Sequence, residues 1–229
     1  MHYHFIAEPM RDTMDKLLGV EMLTRFTSDT VHPLHSDFII TAWSGEQKRH
    51  FLLEQIKLIA QKRDWFEKNN LFCTLNLIDE MALLAIGDPV ITSALHAMPF
   101  IALQLSERFL SNTACLNNLL INSLGDGPNA LWLGDLGSGC VGANPLVSGG
   151  FDVVKMDRNF FLAQVEKPMF PVLIKNIREY CDHVVVEGID DARFIDEVIN
   201  AGVWAIQGTV FPSITFTDVE ALMPVIVYH

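Results

Sequence analysis

The residues of this chain that could do chemistry stand at the ends of short apolar runs. Glu21, Asn76, Gln104 with Glu107, Asp135, Lys155 with Asp157, Glu187 with Asp190, and Gln207 each close or follow such a run. Taken singly, a residue of this kind is ordinarily a cap or a loop hydrogen bond. A succession of acids and amides around one lysine reads instead as a single polar site, provided the runs are strands laid side by side. The other suggestive spacings are weaker. His32-Pro33-Leu34-His35 has a His-x-x-His pattern, but no carboxylate or cysteine adjoins it, and it reads as a surface loop. Cys140 follows Asp135 closely, yet nothing cationic neighbours it in sequence, so it reads as an inert small residue. Trp43, Trp65, Trp132 and Trp204 read as core or helix-packing residues.

The elements that must position these residues follow from the apolar pattern. Strand-like runs cover Phe5 to Met10, Leu17 to Leu23, Leu71 to Leu77, Phe100 to Ser106, Ala130 to Leu136, Phe151 to Met156, His183 to Ile189 and Ala205 to Phe211. Their Val, Ile, Leu and Phe show little alternation, as in parallel strands buried on both faces. Helical patterns lie between them. From about Ser44 to Asn69, Leu52, Ile56, Ile59 and Ala60 recur at three- and four-residue spacing. Arg158 to Tyr180 is a second helical stretch, which Pro168 and Pro171 must kink or break. Asp191 to Ala201 is a third, stopped by Gly202. This alternation predicts an α/β fold, a (β/α)8 TIM-type barrel, whose chemistry sits at the C-terminal ends of the strands. The connection between Met10 and Leu17 is too short for a crossover helix, so the first two strands are expected to pair as an antiparallel hairpin. A doubly wound open sheet fits the pattern less well, since no G-x-G-x-x-G or P-loop follows any strand.

The totals narrow the classes of function. The chain has 229 residues, half of them hydrophobic, and nothing divides it, so residues 1–229 read as one domain. A net charge of −12 argues against binding nucleic acid, whose phosphates it would repel. The four cysteines, Cys73, Cys115, Cys140 and Cys181, are scattered and read as reduced thiols of a cytoplasmic protein. Neither a secretory leader nor a membrane span is expected.

The polar positions also resemble, in order and spacing, the motifs of the EAL domains, bacterial barrels that hydrolyse cyclic di-GMP. Gly19-Val20-Glu21-Met22-Leu23-Thr24-Arg25 resembles the segment that names the family. Asn76 matches its metal-binding asparagine, and Gln104-Leu105-Ser106-Glu107 stands where the family has Glu-x-Thr-Glu. Gly134-Asp135-Leu136-Gly137-Ser138-Gly139 is similar to its Asp-Asp-Phe-Gly-Thr-Gly, and Asp152 to Asp157 to its D-x-x-K-x-D strand. Glu187-Gly188-Ile189-Asp190 resembles E-G-V-E, and Gln207-Gly208 the closing Q-G. The likeness runs from about residue 5 to residue 212. It implies a barrel with one antiparallel strand near the N-terminus.

The resemblance also assigns roles. Glu21, Asn76 and Asp135 take metal-ligand positions for Mg²⁺ or Mn²⁺, and Lys155 and Glu187 take catalytic ones. Lys155 would hold the attacking water or steady the developing charge, and Glu187 would be the general base. Arg25 and Gln207 take substrate contacts, and Glu107 and Asp190 anchor loops. Two positions depart: Gln104 and Gly134 replace carboxylates. Divalent cations are held by oxygen anions, and each lost charge-assisted contact costs ~1.5–3 kcal/mol. The expectation is a silent barrel with little or no hydrolysis, acting as a regulator through a protein partner or residual cyclic di-GMP binding, on motility, fimbriae or biofilm. The alternative is a slowed phosphodiesterase producing pGpG, with Asp135 and a water filling the gap. Glu8 stands where the family carries a nucleotide-contacting Gln, which further weakens the case for ligand. The Cys140-Val141-Gly142-Ala143 stretch departs from the family's loop, which couples the metal site to dimer contacts, so a homodimer is an open expectation. With no sensory domain in view, the input would be expression level or another protein.

Overall fold

An antiparallel hairpin opens the chain, β1 (His2–Arg11) running against β2 (Leu17–Thr27) with Glu8 opposite Glu21. Its turn is built by Asp12, whose carboxylate accepts from the backbone N–H groups of Met14 and Lys16 at 2.8 and 2.9 Å, while Asp15 takes a left-handed φ of 65°. Asp tolerates that conformation because its short side chain bonds locally. The structure is a computed structural model and describes residues 2–27, 36–107, 114–139 and 150–223. His32, His35 and Cys140 lie outside these residues.

Six parallel strands follow: β3 (Phe72–Leu77), β4 (Ile101–Ser106), β5 (Leu131–Leu136), β6 (Val153–Met156), β7 (His183–Glu187) and β8 (Ala205–Gln207). β2 pairs in parallel with β3, and the order continues to β8. β1 closes the barrel, antiparallel to β8 on one edge and β2 on the other. This is the expected barrel with one antiparallel strand. A short β9 (Ile214–Thr215), which the sequence pattern does not reveal, adds to the free stretch of β1.

The helices are α1 (Ser36–Thr41), α2 (Gly45–Ala60), α3 (Arg63–Asn69), α4 (Asp79–Gly87), α5 (Pro89–His96), α6 (Ala114–Gly125), α7 (Arg158–Gln164), α8 (Phe170–Ile177) and α9 (Ile195–Ala201). The long pattern from Ser44 is two helices, with Ser44 capping the first through a reciprocal bond pair with Gln47. Ala60 is exposed, and the buried stripe of α2 is Phe51, Leu52, Gln55, Ile56 and Ile59. The second pattern breaks as expected, and Pro171 sits in the first turn of α8, where its missing N–H costs nothing. Gly202 ends α9 at φ 76°.

The core has two parts. A large apolar layer fills the space between sheet and helices. Inside the barrel, Met10, Ala102, Trp132, Val153, Val185 and Ala205 form an apolar floor, with Phe72 and Trp204 stacked at its edge. Strand side chains alternate, so the residue two further along faces the same interior. From the floor residues, that step leads to Gln104, Gly134, Lys155, Glu187 and Gln207. The polar residues are therefore one storey above an apolar plug, at the strands' C-terminal ends.

Candidate functional site

Glu21 is the centre of the barrel mouth. It is 2 % exposed, and its two carboxylate oxygens accept from four side chains. Oε2 takes the Lys155 ammonium at 2.5 Å and the Gln207 amide at 2.7 Å. Oε1 takes the Asn76 amide at 2.9 Å and the Gln104 amide at 3.3 Å. Gln104 Nε2 also donates to Asn76 Oδ1 at 2.7 Å. Lys155 reaches Glu187 at 3.5 Å. The strand register makes this convergence possible, since Asn76 lies level with Gln104 and Glu187 level with Gln207.

Gly134 and Gln104 are structurally linked. A Cβ at position 134 would lie 2.8 Å from Gln104 Nε2 and 3.0 Å from its Cγ. The glutamine thus fills the space in which a side chain at 134 would begin. The two departures are one packing solution, in which the amide leans over the glycine and donates to Glu21 and Asn76. Next to it, Asp135 adopts a left-handed φ of 57° at a break in the β5–β6 register. That conformation directs the chain into Gly137, where any Cβ would meet the Phe160 ring.

Charge inside the mouth is unevenly shared. Burial alone would raise the Glu21 carboxyl, but the charge of Lys155 and the bonds from Lys155, Gln207 and Asn76 hold it below its ordinary value. Burial alone would lower the Lys155 ammonium, yet Glu21, Glu187 and Asp135 hold it well above. Lys155 also pulls Glu187 down, but burial and the charges of Glu21 and Asp135 outweigh it, so that carboxyl is raised. Glu8 is raised too, by burial and then by Glu21. It therefore takes up a proton more readily than the sequence suggests, which softens the negative charge expected of it.

A cavity of about 180 Å³ opens above this network, lined by Glu21, Asn76, Gln104, Asp135, Lys155 and Glu187 and by apolar residues of β2, α1, α2 and α4. Small-molecule sites usually span roughly 300–1,000 Å³. Gln55 is a lining residue the motifs do not mark. Its sequence signal is a glutamine on the buried stripe of α2, three residues after Leu52.

Of the other expected site residues, Glu107 accepts from the backbone N–H groups of Gly137 at 2.9 Å and Gly139 at 3.1 Å. Asp190 accepts from Arg158 Nε at 2.9 Å and Thr209 Oγ1 at 2.8 Å, tying α7 to the segment after β8. Arg25 is exposed on β2, opposite His4, and does not line the cavity.

The donor set does not fit a pair of divalent cations. The oxygens that would face a metal instead accept from an ammonium and three amide N–H groups, and position 134 offers no ligand. Among the described residues, no group of three His, Cys, Asp or Glu side chains could hold a metal ion.

No known family model matches the chain. Individual proteins do. The putative anti-FlhC(2)FlhD(4) factor YdiV of Escherichia coli K12 is 27 % identical over 220 residues, 94 % of this chain and 92 % of that protein. The cyclic di-GMP phosphodiesterase PdeH of the same strain is 28 % identical over 212 residues, 88 % of this chain and 79 % of that one. The crystal structure of the EAL-like domain protein YdiV superposes with a TM-score of 0.86 at 26 % identity, covering 97 % of both chains. The chain thus shares the barrel of the EAL-like domain protein YdiV along nearly its whole length, and it resembles the EAL domains with an amide and a glycine at two of their acidic positions.

Proposed function

We propose that this protein is a catalytically silent regulator that acts by binding another protein, in the manner of the anti-FlhC(2)FlhD(4) factors, and so controls motility. The observation that carries the reading is the occupied Glu21 carboxylate. Its four donors already supply the positive charge and N–H groups that burial demands. A metal would have to displace Lys155 and turn two amides around, leaving their N–H groups without partners. Nucleotide binding is weak as well, because the cavity is small and Arg25 stands outside it. No helix among the described residues is long and apolar enough to cross a membrane.

The likeness to PdeH supports a second reading, a slow phosphodiesterase that uses Glu21, Asn76, Asp135, Lys155 and Glu187 with Mg²⁺ or Mn²⁺. One experiment separates the two. The purified chain is incubated with cyclic di-GMP and excess Mn²⁺ or Mg²⁺, followed by chromatography, and in parallel titrated with purified FlhD4C2. The regulator reading expects no pGpG and a stable complex, while a Gln104→Glu/Gly134→Asp variant gains Mn²⁺ binding by calorimetry. Wild-type turnover that disappears in Glu187→Gln would establish the enzyme instead.

A further inference from the structure

The outer face of α4 is apolar and meets a groove. After Glu80 it carries no charged residue, reading Met81-Ala82-Leu83-Leu84-Ala85-Ile86-Gly87. A helix apolar all round belongs in an interior. Met81, Ala82 and Ala85 are indeed buried, but Leu83 is 58 % exposed, and so is Val90 at the start of α5. The first turns of α2 border this face, held by Lys48 on Glu80 at 3.0 Å and Arg49 on Asp88 at 2.5 Å.

Two hollows meet at that turn, and Glu46 lines both. On one side is an apolar groove of about 620 Å³, walled by Leu83, Leu84, Gly87 and Pro89. On the other is a pocket of about 480 Å³ between Tyr3, Trp43, His50 and Phe51. Its rings are packed against each other, Trp43 on Phe51 at 5.1 Å and Tyr3 on Trp43 at 6.0 Å. A second carboxylate, Glu54, stands behind the pocket and accepts from the Tyr3 hydroxyl at 2.6 Å. Aromatic faces beside carboxylates attract a guanidinium or ammonium group.

We infer that this face, the α4–α5 groove with the aromatic pocket beyond Glu46, is the docking surface for an amphipathic, basic segment of a partner protein. Apolar side chains one helical turn apart fill the groove, and an arginine or lysine enters the aromatic pocket. Charge selects this occupant over a second copy of the chain, because two bodies of net charge −12 repel, whereas a basic segment is steered in. The inference rests on the protein-binding reading above and names its surface.

The test uses two probes on the full chain. The first is a labelled helical peptide of about eighteen residues, with leucines at helical spacing and arginines at one end, read by fluorescence anisotropy. The second is FlhD4C2, read by size-exclusion chromatography. The variants are Leu83→Asp/Val90→Asp, Glu46→Lys and Trp43→Ala. Leu119→Asp, on an exposed apolar residue of α6, is the control, and circular dichroism checks each fold. The expected result is a loss of roughly tenfold or more in peptide affinity for the double variant. A smaller loss is expected for Glu46→Lys and Trp43→Ala, and none for Leu119→Asp. Wild-type protein that ignores the peptide, or a folded double variant that binds both probes undiminished, overturns the surface. FlhD4C2 binding that survives every face variant overturns the surface and leaves the protein-binding reading standing. Peptide binding lost in the double variant, without FlhD4C2 binding, keeps the surface and removes that partner.

Discussion

The barrel mouth and the outer face of α4 and α5 are opposites. In the mouth, where the family places its chemistry, the central carboxylate is buried and has every oxygen answered from within the chain. On the outer face, apolar side chains remain in water with nothing described against them. In the mouth, side chains at the expected catalytic positions hold one another, whereas the groove on the outer face is walled by apolar residues that no motif marks.

Four changes would break or sharpen this contrast, in descending order of effect. Lys155→Met should be the most damaging, because it strands the Glu21 carboxylate in a site where both partners are almost fully buried. Losing one partner of such a pair costs about 3–5 kcal/mol, read by denaturant unfolding. A Glu21→Gln/Lys155→Met double variant should recover much of that loss. If Lys155→Met is as stable as the wild type, the mouth is not a plug.

Next comes Gly134→Ala, which pushes a methyl into Gln104 and should cost about 1–3 kcal/mol. In a Gln104→Ala background the penalty should shrink, giving a coupling energy in a double-mutant cycle. Independent penalties would mean that the two departures are unrelated.

The third effect depends on pH. Folding raises the Glu8 carboxyl, so its contribution to stability is full below the ordinary carboxylate range and is lost as pH rises through the raised value. Glu8→Gln imitates the protonated form. It should be more stable than the wild type at pH 7 by up to ~1 kcal/mol, an advantage that fades below pH ~4. Glu21 works in the opposite sense, since its lowered carboxyl lends stability above the ordinary range that is lost on acidification.

The smallest change is expected on the outer face. Leu83→Asp alone should shift unfolding stability by no more than about 0.5 kcal/mol, because the side chain is already in water. A large loss would show that Leu83 packs into the core rather than standing on an exposed face.

The sequence by itself determined the α/β alternation and favoured the barrel over an open sheet. Apolar runs without alternation fit strands covered on both faces, and the six residues after Met10 are too few for a crossover helix. It also determined the identity and order of the mouth residues, because each marks a strand end. Boundaries were less legible. β2 runs on to Thr27 and β8 stops at Gln207, since where a strand ends depends on its neighbours' hydrogen bonds rather than on its own residue types. Only the tertiary structure decided that Gln104 leans over Gly134, that Lys155 is held by Glu21 more closely than by Glu187, and that Gln55 belongs to the same cavity. It also decided which face of the apolar α4 is left in water, with Leu83 exposed and Met81, Ala82 and Ala85 buried. A sequence records which groups a chain carries, but the pairing of donors with acceptors, and of apolar faces with cover, is settled in space among residues far apart along the chain.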